Sequence, residues 1–271
     1  MQQLQIDGVN LRHEVTGSGE PVLLISTGPI ADSFLPFVNQ RVLADHYRLI
    51  RYHQRRLGAS APRRVPVSFT EHAADAVALL GHLGIDRVHV VGHSTGAAIA
   101  LQLTVDHPEI VHSLTVLEPP LLSVPSAGAF LELAEPALTA YGAGDRERAM
   151  KLFMAMVSSL DWETCRALLD AHVPGGVAQA LHDADNFFES YLPALSTWQF
   201  GSSQASVILQ PVLSVLGKDT QRLFLESHEL LHAYLPQVED SAIDRVAHLL
   251  HLQHPEPVAR GVAAFLARHP M

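Results

Sequence analysis

The sequence predicts an α/β fold, with a mostly parallel central sheet flanked by helices and an inserted helical cap. Three observations carry this. Apolar runs such as Val22–Ile25 and Val88–Val91 read as strands buried on both faces, as parallel strands covered by helices are. These runs alternate with stretches whose apolar residues fall at helical spacing. The alternation stops after Pro120 and resumes at Pro211, which marks an insertion.

Taken in order, Leu4–Ile6 and Val9–Val15 read as a short antiparallel pair around Asp7-Gly8, and Thr16–Pro21 as a turn cluster. Val22–Ile25 is the first buried strand and Tyr47–Tyr52 the next. Phe69–Leu83 reads as a helix, opened by Ser68 and closed by Gly84. Val88–Val91 is a strand, Thr95–Asp106 a helix and Leu114–Leu117 a strand. From Leu121 to Gly201 there is no strand signal, and helical stretches are punctuated by Pro125, Pro136, Gly142, Gly144, Pro174 and Gly175-Gly176. After the connector Gly201-Ser202-Ser203 come a strand at Pro211–Leu216, a helix at Gln221–Tyr234, a strand at Val238–Ile243 and a helix at Glu256–Arg268. The expected organisation is a core of residues 1–120 and 202–271 and a helical cap of residues 121–201.

Composition narrows the function. The chain of 271 residues has a net charge of −10, with 28 acidic against 18 basic residues. Such a surface repels phosphate backbones, so no nucleic-acid partner is expected. A single cysteine, Cys165, excludes an intrachain disulfide and a thiolate metal cluster. It lies in a helical stretch and reads as a packed cap residue. The N-terminus lacks a basic stretch followed by an apolar core, and no apolar run approaches the ~18–20 residues that span a bilayer. A cytoplasmic protein without membrane contact is therefore expected. The 17 histidines are the one unusual count.

Gly92-His93-Ser94-Thr95-Gly96 fits G-x-S-x-G, and its context gives the match weight. A buried strand, Val88–Val91, precedes it and a helix follows, which puts a serine on a sharp turn above the sheet. The helix N-terminus places oriented N–H groups beside Ser94. A serine hydroxyl needs a base, imidazole suits that task near neutral pH, and a carboxylate must then hold the imidazole.

At these residues the chain resembles the α/β-hydrolase superfamily. Three further stretches carry the resemblance: Leu216-Gly217-Lys218-Asp219 after a buried strand, the segment Ala247–Val258 leading into the last helix, and the loop Tyr52–Ser60. The resemblance implies Ser94 as nucleophile, His248 as base and Asp219 as acid. Glu118, at the end of the preceding core strand, is the alternative acid. His251 and His254 follow His248 at regular spacing and read as packing or surface residues rather than metal ligands. The resemblance also implies an oxyanion hole from the N–H groups of Thr95 and of the loop after Val22–Ile25. The family usually carries His-Gly there, and this chain has Ser26-Thr27-Gly28-Pro29. The register that gives Gly28 as donor is preferred, because Pro29 has no N–H. A second departure is Arg55-Arg56, where the family usually has Arg-Gly; with Arg51, Arg63 and Arg64 it reads as a basic loop or an anion-binding patch.

The insertion carries Phe130, Leu133, Met150, Phe153, Met154, Met156, Trp162, Phe187, Phe188, Tyr191, Trp198 and Phe200, most of which are expected to form the cap core and some to roof an apolar pocket. The expected function is a serine hydrolase cleaving a small-to-medium hydrophobic carboxylic ester or lactone through an acyl-enzyme. A C–C bond hydrolase, lyase or acyl-transfer enzyme using the same triad is the alternative, and a non-catalytic ligand-binding protein of this fold a third reading. Epoxide hydrolase and haloalkane dehalogenase chemistry is disfavoured, since those branches place an aspartate at the position of Ser94. No cofactor and no metal are expected, the partner is a small-molecule substrate, and a homodimer is left open.

Overall fold

A computed structural model describes residues 1–6, 9–55, 57 and 67–271. Eight strands form one sheet: β1 (Gln2–Ile6), β2 (Val9–Thr16), β3 (Glu20–Ile25), β4 (Tyr47–His53), β5 (Val88–His93), β6 (Val111–Leu117), β7 (Val212–Gly217) and β8 (Val238–Ile243). Their order is β1-β2-β4-β3-β5-β6-β7-β8. β1 pairs antiparallel with β2 and β2 with β4, while all later neighbours are parallel. Every residue of β5 is buried, in keeping with a strand covered on both faces.

The helices predicted in the core form where the periodicity put them. Phe69–His82 starts at a capping box, in which the Ser68 hydroxyl accepts from Glu71 N–H and the Glu71 carboxylate accepts from Ser68 N–H. Its apolar face packs on the helix Thr95–Asp106. The last helix, Pro255–Arg268, buries Val258, Val262, Phe265 and Leu266 against the opposite face of the sheet, beside Val22, Leu24 and Val215. Short helices at Leu35–Val38, Arg41–Ala44 and Leu250–Gln253 have too few turns to leave a periodic signal.

Between β6 and β7 the chain is helical, from Ala127–Gly142 through Arg146–Ser158, Trp162–His172 and Gly176–His182 to Leu192–Thr197. Asp145 and Asp161 cap two of these helices by accepting from the N–H groups of Arg148 and Thr164. A π-helical turn, Phe187–Tyr191, turns Phe187, Phe188 and Tyr191 into the interior. Cys165 is fully buried among these helices, and burial pushes its thiol up. Among the described residues no helix is long and apolar enough to cross a membrane.

The strand order reverses around β3, whose neighbours are β4 and β5. In an open α/β sheet, ligands bind outside the carboxyl ends of the strands at such a switch point. Here those ends lead into Ser26–Pro29 and Ser94.

Candidate active site

Ser94 sits between β5 and the helix Thr95–Asp106 with φ 54° and ψ −122°. This is a left-handed conformation that a non-glycine residue adopts only when its surroundings impose it. The neighbouring glycines are the imposing sterics. A Cβ on Gly92 would lie 2.4 Å from the Gly96 carbonyl oxygen, and one on Gly96 would lie 2.2 Å from that of Ile25. The turn is fixed by Ser94 N–H donating to Leu117 O at 2.9 Å, and by Ala97 N–H and Ala98 N–H donating to Ser94 O.

His248 is buried in the segment before the last helix, and its Nδ1 lies 2.8 Å from Glu118 Oε2. Glu118 is also buried, and also has a positive φ, of 47°. That turn out of β6 swings the carboxylate beneath the end of β7, where it accepts from Gly217 N–H at 2.8 Å and from the Thr220 hydroxyl at 2.9 Å. Burial pushes the Glu118 carboxyl up from its ordinary value, and the bonds from Gly217 and Thr220 oppose the rise. Asp219, the acid first expected, is not at the histidine. It is exposed on the turn after β7, with its N–H donating to Val246 O at 3.1 Å. The strand-end carboxylate that reaches His248 is the alternative, Glu118.

His93 backs the site. Its buried Nε2–H donates to the His248 carbonyl oxygen at 2.8 Å. Its ring lies 4.6 Å from that of His248 and 4.2 Å from that of His251. Phe224 stacks on the other side of His248, with centroids 4.0 Å apart and planes 13° apart. His251 packs in the interior against Phe34, as a packing residue would, and His254 is the residue before the last helix.

The three buried rings predict acid sensitivity. Burial pushes His93, His248 and His251 below the ordinary imidazole value of 6.5. The unfolded chain binds protons at these positions as pH falls below 6.5, and the folded chain does not. Stability is therefore complete above that pH and lost below it, at about 1.4 kcal/mol per pH unit for each histidine. Glu118, whose value is raised, acts in the opposite sense, adding stability as pH falls, but three histidines outweigh one carboxyl. The urea midpoint is expected to be clearly lower at pH 5 than at pH 7. A midpoint equal or higher at pH 5 would contradict this burial account.

The loop after β3 places Gly28 beside Thr95. Gly28 N–H donates to the Thr95 hydroxyl at 3.1 Å, and the Thr27 and Thr95 hydroxyls are 3.3 Å apart. The N–H expected as a donor is thus engaged by the Thr95 hydroxyl. Gly28-Pro29 is a cis peptide. The helical segment clamps this loop. Gln179 Nε2 donates to Pro29 O at 3.1 Å, and Gln179 Oε1 accepts from Ala31 N–H at 3.0 Å. Tyr191 OH donates to Gln54 Oε1 at 2.6 Å, and Gln54 Nε2 donates to Ser26 O at 2.7 Å. Sequence reading missed Gln54, Gln179 and Tyr191, because these bonds join residues far apart in the chain.

The two described arginines of the basic loop are already paired. Arg51 pairs with Glu14 and Asp32, and Arg55 makes two 2.5 Å bonds to buried Asp75. Arg56, Arg63 and Arg64, with residues 58–60 of the loop, lie outside the described residues.

Ser94, Thr95, His248, Thr27 and Gly28 open onto a cavity of about 290 Å³. Its remaining walls are mostly apolar, with Phe130, Phe153, Met154, Phe187 and Phe188 from the helical segment facing Ile30, Phe224 and Leu249. Such a cavity desolvates an acyl or alkyl group and leaves a single polar edge.

The comparisons agree with this architecture. The family model described as alpha/beta hydrolase fold matches residues 20–255. A dihydrolipoyllysine-residue acetyltransferase component of an acetoin cleaving system from Cupriavidus necator is 31% identical over 118 residues, 44% of this chain and 32% of that protein. The chain thus spans about a third of that relative's length. A putative carbamate hydrolase, RutD, from Azorhizobium caulinodans is 28% identical over 251 residues, 88% of each chain. Among solved structures, the enol-lactonase from Burkholderia xenovorans LB400 is similar with a TM-score of 0.81 at 16% identity, over 98% of this chain and 100% of that one.

Proposed function

Because the chain belongs to the alpha/beta hydrolase fold family, we propose that it is a serine hydrolase cleaving a small-to-medium hydrophobic carboxylic ester or lactone. One observation carries the proposal: a serine on a strained strand–helix turn shares an apolar cavity with a buried histidine held by a buried glutamate.

In this reading Glu118 accepts a hydrogen bond from the Nδ1–H of His248, which leaves the lone pair on Nε2. That nitrogen takes the Ser94 proton as Oγ attacks the substrate carbonyl. Gly28 N–H, released from the Thr95 hydroxyl, and Thr95 N–H hold the oxyanion, each donor being worth about 3 kcal/mol in the transition state. The imidazolium returns its proton to the leaving alkoxide, and the acyl-enzyme forms. Water, activated by the same histidine, then releases the acid. The helices between β6 and β7 serve as a cap that excludes bulk water and fits the acyl or alcohol portion, and the active protein is cytoplasmic.

The similarity to putative carbamate hydrolases along most of the chain supports one second reading, hydrolysis of a carbamate by the same groups. A panel of aryl esters, alkyl esters, lactones, carbamates and vinylogous 1,5-diketones tests both. Turnover of apolar esters or lactones above all other classes is expected. Turnover of carbamates alone would replace the ester reading, and cleavage of the diketones alone would establish C–C bond hydrolysis instead.

A further inference from the structure

The face of the helix Arg222–Tyr234 that lays Phe224 on His248 continues, one and two turns on, through His228 and His232. The two rings are 4.8 Å apart and steeply inclined at 69°. Asp240 of β8 reaches them from the sheet edge. Its Oδ1 lies 2.7 Å from His232 Nε2 and 3.5 Å from His228 Nε2. The three potential donor atoms all fall within 4.8 Å of one another.

We propose that His228, His232 and Asp240 form a binding site for a divalent transition-metal ion of the zinc class, which ties the helix to β8.

The donor chemistry selects the ion. Two imidazole nitrogens and one carboxylate oxygen suit zinc and its neighbours, whereas calcium and magnesium take oxygen sets. Ligands at zinc distances around a tetrahedral ion stand about 3.3 Å apart. The two separations from Asp240, 2.7 and 3.5 Å, bracket that spacing, and the two histidine donors lie within 4.8 Å of each other, so side-chain rotations admit the ion. Water completes the fourth position on the exposed side.

His228 is oriented in advance. Its Nδ1 lies 2.8 Å from the hydroxyl of buried Ser214, which leaves Nε2 facing Asp240. A hydrogen bond behind the ligating ring is the usual partner of a metal-bound histidine. Ser214 and Asp240 are register partners on β7 and β8, so the sheet itself fixes their relation.

The site has a structural role. It joins two elements that packing holds loosely, since β8 is half-exposed along its length. The same helix supplies Phe224 to the His248 ring and Ser227 Oγ to Leu121 N–H. A metal on its later turns therefore stiffens one wall of the cavity without touching the substrate.

The test is a zinc titration of metal-stripped full-length protein, followed by calorimetry and thermal melting. A single tightly bound ion per chain is expected, with a melting temperature that climbs with the logarithm of free zinc. His232→Ala and Asp240→Asn change exposed side chains and leave the fold intact; each is expected to remove the stabilisation. Ser214→Ala is expected to weaken binding about tenfold to a hundredfold. Ser94→Ala should bind zinc as the parent does, so the result is independent of the hydrolase reading. Equal zinc affinity and stoichiometry in the parent and the His232→Ala/Asp240→Asn double variant would overturn the proposal, as would binding without stabilisation.

Discussion

Ser94→Ala is expected to lower kcat by about a million-fold on whichever ester or lactone proves the best substrate. That is the scale reached when the nucleophile of a cooperating triad is removed. Two structural facts set the expectation. The turn that exposes Ser94 is held by backbone bonds and by the close approach of Gly92 and Gly96, so alanine occupies it without moving the walls. The serine also lies at the polar edge of an otherwise apolar cavity that His248 lines with it. Labelling by a fluorophosphonate should be stoichiometric in the parent and absent in the variant. KM or ligand affinity should change little, because the apolar walls are untouched. Retention of turnover within tenfold would remove Ser94 from the mechanism and with it the acyl-enzyme.

The second large effect separates two carboxylates. Glu118→Gln is expected to reduce kcat by about ten-thousand-fold, as amide replacement does when it imposes the wrong histidine tautomer. The new side-chain NH2 would face Nδ1 and force it to accept. Nε2 would then carry the proton and could not take one from Ser94. The amide oxygen still accepts from Gly217 N–H, so the fold should survive, and thermal melting provides that control. Asp219→Asn, on an exposed side chain, is expected to leave kcat within about twofold, as surface substitutions do. The reverse pattern, an inert Glu118→Gln and a crippled Asp219→Asn, would return the acid to Asp219.

These two substitutions also mark how far the sequence could be read. The strand–helix rhythm located β3, β5, β6 and β7, because strands buried on both faces are written as continuous apolar runs. Gly92, Ser94 and Gly96 were legible because a sharp turn packed against β3 tolerates little else. His248 came from the resemblance. Gln54, Gln179 and Tyr191 were not legible, since a clamp made of single bonds between distant segments leaves no local pattern.

The sequence by itself determined the layered α/β architecture, the interruption after β6 and the strand–helix turn that carries Ser94. All three are consequences of local spacing, which period and turn chemistry record. Only the tertiary structure decided which carboxylate meets His248. Glu118 and Asp219 follow adjacent parallel strands, and both satisfy the same pattern of a buried run ending in an acid. What separates them is the direction of the turn. The left-handed backbone at Glu118 folds its carboxylate inward onto Gly217, Thr220 and His248, while the turn at Asp219 leaves its side chain in solvent. Three-dimensional packing also engaged the Gly28 N–H with the Thr95 hydroxyl, since the two residues meet only where β3 and β5 run side by side.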